Sequence, residues 1–210
     1  MSTMQSHQTA DDHSAPAASF LAEPEPTEAV EHLYARDLSS QGYVAHLTRL
    51  WATSPESLYL MSQALGLAGS MGSLDARQRG LLITAAASAM GDSYCSLVWG
   101  GKLAADASDG FATAVIGGDT SALPAADAAL VAWARRMAKD PNSTTEADVE
   151  DLRRLGFQDQ QIFAITLYVA LRLAFATVND TLGAAPDAEL LDRVPGAVLG
   201  AVGFGRPPAP

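Results

Sequence analysis

The sequence predicts an all-α protein. From Thr27 onward apolar residues recur at three- and four-residue spacing, and few stretches alternate as β-strands do. Helix start and stop signals punctuate that pattern at Ser54-Pro55, Gly91-Asp92 and Gly156. With 48% apolar residues in 210, the chain has enough material to bury a core, in one domain or in two small halves that share it.

Taken in order, residues 1–25 are Ser, Ala, Pro, His and acidic residues without apolar periodicity, too little to offset the entropy of ordering, so a disordered tail is expected. Its His7 and His13 are a poor metal pair and read as solvated. A helical domain is expected over 26–192. Glu28 to Leu38 forms a first helix before Gly42, and Tyr43 to Trp51 a second with Val44, Leu47, Leu50 and Trp51 on its apolar side. Ser54 and Pro55 are an N-cap and first-turn pair for a third, which ends near Gly69 to Gly72. Leu74 to Met90 contains LLITAAASAM, apolar on every side, the mark of a helix buried all round. Gly91 stops that helix and Asp92 caps the next, so Asp92, Cys95 and Trp99, at i, i+3 and i+7, share one face of its first two turns.

Asp109 to Gly118 reads as a short helix or turn, and Ala125 to Lys139 as a helix. STTEADVEDLRRLG is a further short helix, capped by Thr144 or Thr145, with acids in its first turn and arginines in its last. Asp159 is placed to cap the longest helix, which runs to about Leu182. Residues 193–210 hold too much Gly and Pro for a helix and are expected to form an arm on a neighbour or on the body.

A net charge of -11 argues against nucleic acid or an anionic membrane as partner, because Arg135-Arg136 and Arg153-Arg154 are isolated pairs and not a basic cluster. One cysteine cannot form an internal disulfide, which makes the cytoplasm the default location. The start lacks the basic and apolar regions of a secretory signal. The apolar run Ile162 to Phe175 contains Arg172 and is short for a membrane span of roughly 20 residues. No Gly-rich phosphate loop, Cys/His metal spacing or nucleophile elbow is found, so neither cofactor nor metal is expected.

Three segments in succession carry a family resemblance. They are LYARDLSSQGYVAHLTRLWATSPESLYLMSQAL, then LDARQRGLLITAAASAMGDSYC, then DAALVAWARRMAKDPNSTTEADVEDLRRLGFQDQQIFAITLYVALRLAFATVNDTLG. Together they resemble the alkylhydroperoxidase D and carboxymuconolactone decarboxylase superfamily, above all its longer peroxidase-related members, over about Leu33 to Leu191. The resemblance implies an all-α helical bundle and a homo-oligomer. It also implies a site. Redox-active members carry C-x-x-C at a helix start, a histidine four residues after the second cysteine, and a glutamate on the preceding helix. One thiolate attacks the peroxide, the other thiol resolves the sulfenic acid, and Glu with His relays protons. This sequence has Asp92 at the first cysteine position, Cys95 at the second, Trp99 at the histidine and Gly80 at the glutamate. The helix N-terminus favours a Cys95 thiolate while the Asp92 carboxylate opposes it, each by about 1 kcal/mol, so no strongly activated thiolate is expected.

Each candidate residue has two readings. Cys95 is a small packed residue or a substrate-facing thiol. Asp92 is a plain N-cap, or a cap that also serves as acid or base. Trp99 fills the old pocket or lines one for an apolar or aromatic ligand. Arg172 snorkels or pairs structurally, or else meets an anionic ligand. His46 is a helix-surface histidine or a new acid/base, and Tyr94, Tyr168 and Asn179 are weaker candidates, Tyr94 pointing off the shared face. The preferred function is a cofactor-independent, non-redox acid/base step on a small organic molecule: decarboxylation, isomerisation, cyclisation or dehydration. Asp92, Cys95 and His46 would be its catalytic residues and Trp99, Tyr94 and Arg172 its substrate-binding ones. The alternatives are a weak single-cysteine peroxidase and a non-catalytic ligand-binding or assembly subunit. The apolar runs LLITAAASAM and IFAITLYVALRLAF also favour a homo-oligomer.

Overall fold

The computed structural model describes residues 18–209, and among them the chain is helical with no strand. Helix α1 (Glu28–Gln41) starts where the Thr27 hydroxyl accepts the Val30 N–H, and stops at left-handed Gly42. Helix α2 (His46–Trp51) begins three residues later than the apolar spacing suggests, because Ala45 stays extended and gives its N–H to Asp37. Helix α3 (Pro55–Met71) has Pro55 in its first turn, but the Ser54 hydroxyl turns to Ser57 and makes no cap bond.

Helix α4 (Ala76–Met90) is opened by a reciprocal Asp75–Gln78 capping box and is buried at every position from Gly80 to Ala87. A helix with no polar face is stable only when surrounded. Here α5 (Ser93–Asp106), α6 (Asp109–Gly117), α7 (Ala125–Lys139) and α9 (Asp159–Thr181) enclose it. A 3-10 turn over Pro141–Ser143 leads to α8 (Glu146–Arg154), where Thr145 and Asp148 form the cap. The residue that caps α9 is Gln158, paired with Gln161, so Asp159 is the first helical residue and not the cap. Two short helices, α10 (Ala188–Leu191) and α11 (Gly196–Ala201), close the chain.

Both ends differ from the sequence expectation. From residue 18 the N-terminal segment is attached: Phe20 N–H donates to Leu182 at 2.8 Å, and Glu23 pairs with Arg49 at 2.5 Å. His7, His13 and the rest of residues 1–17 lie outside the described residues. The Gly/Pro-rich end does contain a helix, α11, which lies on the body with Val198 buried. A side chain at Gly100 would meet Ile116 and Val198 at 3.1 Å, so this glycine lets α6 and α11 close on α5.

The long helix is also longer than its apolar run. At 23 residues and a mean hydropathy of 1.7, α9 has the length and composition to cross a membrane. In this fold its Ile165 and Val169 are buried where it packs on α3, α4 and α7, and a third of its apolar window is buried. A second, smaller apolar cluster joins α2 to α9 through Leu50, Trp51, Phe175 and Ala184. In it the Trp51 and Phe175 rings stack with centroids 4.9 Å apart.

Candidate functional site

The joint between α4 and α5 is built by Gly91, whose φ of +84° turns the chain, and by Asp92, whose carboxylate accepts the Cys95 N–H at 2.9 Å. Asp92 is 1% exposed and Cys95 3%. Arg172 reaches in from α9 and places a guanidinium nitrogen 3.6 Å from the Cys95 sulfur. The second Asp92 oxygen and Arg172 Nε have no hydrogen-bond partner among the described residues. The space they face is a void of about 10 Å³ between Ile83, Ala87, Met90 and Ala176, room for about one water. The C-terminal segment lies on the joint: Ser93 donates to the Arg206 carbonyl at 2.7 Å, and a side chain at Gly205 would sit 2.5 Å from the Gly91 oxygen.

Electrostatics follow from this enclosure. Burial pushes the Cys95 thiol well above its ordinary value, Asp92 pushes it further, and Arg172 only partly offsets them. Burial also raises Asp92, against the Cys95 thiol and N–H and the Arg172 charge. Asp180, half-buried nearby, is raised to about 6 by burial and by Asp92, with Arg206 opposing. Cys95 is therefore held as the neutral thiol.

An adjacent side of α5 is open. A pocket of about 510 Å³ lies between α1, α2, α5, α9 and α10. Trp51, Phe175, Tyr43, Tyr94 and Val98 give it an apolar and aromatic lining, and Arg36, Lys102 and Arg193 also face it. The Trp51 indole is fixed by donating to Asn179 at 2.8 Å. Tyr94 donates its hydroxyl to Asp187, a buried carboxylate that also accepts the His46 backbone N–H at 2.7 Å. Burial, and after it the Asp187 charge and hydrogen bond, push Tyr94 well above the ordinary tyrosine value, so its hydroxyl stays protonated.

The residues singled out in the sequence thus fall into two groups. Asp92, Cys95 and Arg172 meet on the inner face of α5. Trp99 is beside them, with the Arg172 guanidinium 5.4 Å and the Lys102 ammonium 4.4 Å from its ring. It lines a further cleft of about 400 Å³ with Arg79 and Lys102 and is not among the residues around the small void at Asp92. Tyr94 and His46 belong to the second group and meet at Asp187, where His46 Nδ1 lies 3.0 Å from the Ala185 carbonyl. Tyr168 is buried in the main core. Gly80 packs against Leu103, roughly 12 Å along α5 from Cys95 at 1.5 Å per residue, and the α4 residues that line the void are Ile83, Ala86, Ala87 and Met90. Asp187 was not foreseen. Its only local signal is an acid after Pro186 at a helix start, which reads as a cap, yet it makes no cap bond.

No family model matches the sequence, and no curated protein does. Among solved structures, the chain is similar to the alkylhydroperoxidase AhpD core of an uncharacterized peroxidase-related protein from Ralstonia eutropha. Identity there is 21%, with a TM-score of 0.72, over 87% of this chain and 100% of that one. It is also similar to an uncharacterized peroxidase-related protein from a Silicibacter species, at 18% identity and a TM-score of 0.73, over 84% of this chain and 95% of that one. The chain has the all-α fold of the alkylhydroperoxidase D-like, peroxidase-related proteins.

Proposed function

We propose that this chain has lost two-cysteine peroxidase chemistry and performs a non-redox acid/base step on a small organic molecule, bound in the 510 Å³ pocket. The observation that carries the reading is Cys95. A peroxidatic thiol must be a thiolate with access to peroxide, and this one is buried, raised by its surroundings, and paired with Asp92 where a resolving thiol would stand. The same helix presents Tyr94 and Val98 to a pocket of small-molecule size. Tyr94 and Asp187 supply the proton-handling pair. A substrate proton passes to the Tyr94 oxygen as the Tyr94 proton passes to Asp187, and the reverse step returns it. Asp92 then serves as the cap that holds α5 behind the pocket.

Consumption of tert-butyl hydroperoxide with dithiothreitol as reductant tests the redox half of this reading. Wild type and Cys95→Ser are expected to be equally slow. A wild-type rate well above Cys95→Ser would establish the single-cysteine peroxidase instead. The void of about 10 Å³ at Asp92 also favours a second reading, a ligand-binding subunit without turnover, since no substrate reaches that carboxylate as it stands.

A further inference from the structure

The cations of this chain are unevenly satisfied. Arg49, Arg77, Arg136, Arg153 and Arg154 each pair with a carboxylate. Among the described residues Arg36, Lys102 and Arg193, which line the 510 Å³ pocket, make no ion pair, as Arg79, Arg135, Lys139, Arg172 and Arg206 elsewhere make none, in a chain with 24 acidic against 13 basic residues. Among the described residues no Asp or Glu lines the pocket with them. The buried acids behind its wall are already engaged: Asp37 accepts the Ala45 N–H at 3.1 Å, and Asp187 accepts from Tyr94 and His46. Burial raises Tyr43, Asp187, Glu189 and Asp37 raise it further and Arg193 opposes them, yet none of these acids forms an ion pair with Arg193. Arg193 is oriented by its own surroundings, donating to the Gln41 carbonyl at 2.6 Å with its guanidinium 5.2 Å from the Tyr43 ring centre. Lys102 lies on the Trp99 ring, with Arg172 near it as a like charge and Asp106, one turn on along α5, as the nearby acid, with which it forms no ion pair.

We infer that this pocket takes an organic anion, a flat apolar or aromatic body bearing one carboxylate or sulfonate-like group. The body lies against Trp51 and Phe175, and the acid group is held at the mouth by Arg193, Lys102 and Arg36. Three cations left without carboxylates around an aromatic cavity, in an acidic protein, are the arrangement that selects such a molecule over a neutral one of the same shape. The inference rests on the reading that this pocket is the working site.

Two fluorescent probes of nearly one shape separate the claims: anilinonaphthalene sulfonate and its uncharged parent, phenylnaphthylamine. The folded wild-type protein is expected to bind the sulfonate more tightly. The double variant Arg193→Gln, Lys102→Gln is expected to weaken the sulfonate about tenfold while leaving the neutral probe within about twofold. Val98→Trp, which fills the cavity, and Ala105→Trp, at its more exposed edge, are expected to weaken both probes. Equal affinity for the two probes, unmoved by the double variant, overturns the anion assignment and leaves the pocket standing. Binding of neither probe, or binding that neither tryptophan variant changes, overturns the anion assignment and the pocket together.

Discussion

Asp92 does two things that share one origin. Its carboxylate stands one turn before the Cys95 sulfur because an N-cap must reach the N–H three residues on, and that reach brings a negative charge to the thiol. The consequence was legible in the sequence, since cap and thiol are separated by three residues and helix geometry fixes the rest. Asp187 was not legible: its partners Tyr94 and His46 are 93 and 141 residues away, and no local pattern encodes such contacts. The neighbouring Asp180 gives a pH test. It is raised from 3.8 to about 6 in the fold, so it favours the folded state while protonated, fully below about pH 4, and loses that contribution as pH rises through about 6. Because Asp180 is only half-buried, screening reduces the effect to about 1 kcal/mol. Urea unfolding between pH 4 and 8 should show wild type losing about that much relative to Asp180→Asn. Parallel curves for the two proteins would show that Asp180 is not raised.

At the scale of elements, periodicity located the helices well because most are bounded by strong signals: the Asp75–Gln78 box, left-handed Gly91, and the Thr145–Asp148 box. Where the expectation failed, tertiary contacts prevailed. The last helix, α11, forms in a Gly-rich segment because Val198 finds a buried seat beside Gly100, and the N-terminal segment is held by Leu182 and Arg49. The C-terminal segment over the Asp92 joint has its own test. Gly205 has φ +73°, and an added methyl would press on the Gly91 oxygen and on Ser93. Gly205→Ala should cost about 2 kcal/mol or else lift this segment off. In either case iodoacetamide should label Cys95 faster than in wild type, read by intact mass. Unchanged labelling would show that the segment does not shield the joint.

For the whole molecule, the all-α architecture and the central helix α4 were both readable from composition and spacing, and the peroxidase-related fold from the order of segments. The division of the site between the two faces of α5 was not, because it depends on which helices stand on either side. The outer surface carries its own prediction. Phe163, Ala170, Ala174 and Val178 form an exposed stripe on α9, and Leu60 and Leu67 share one face of α3, its packing neighbour. We expect a homo-oligomer through this surface. Light scattering should show Leu60→Asp, Phe163→Asp dissociating it, and a monomeric wild type would refute the expectation. The central claim is that the start of α5 holds a neutral, buried thiol. The direct measurement is the pH dependence of Cys95 alkylation by iodoacetamide, followed by mass spectrometry on wild type and Asp92→Asn. The account predicts an apparent pKa above the free-thiol value of about 8.5, and a lower one in Asp92→Asn. A thiolate already formed at neutral pH in wild type, converted to a sulfenate by hydroperoxide, would contradict it.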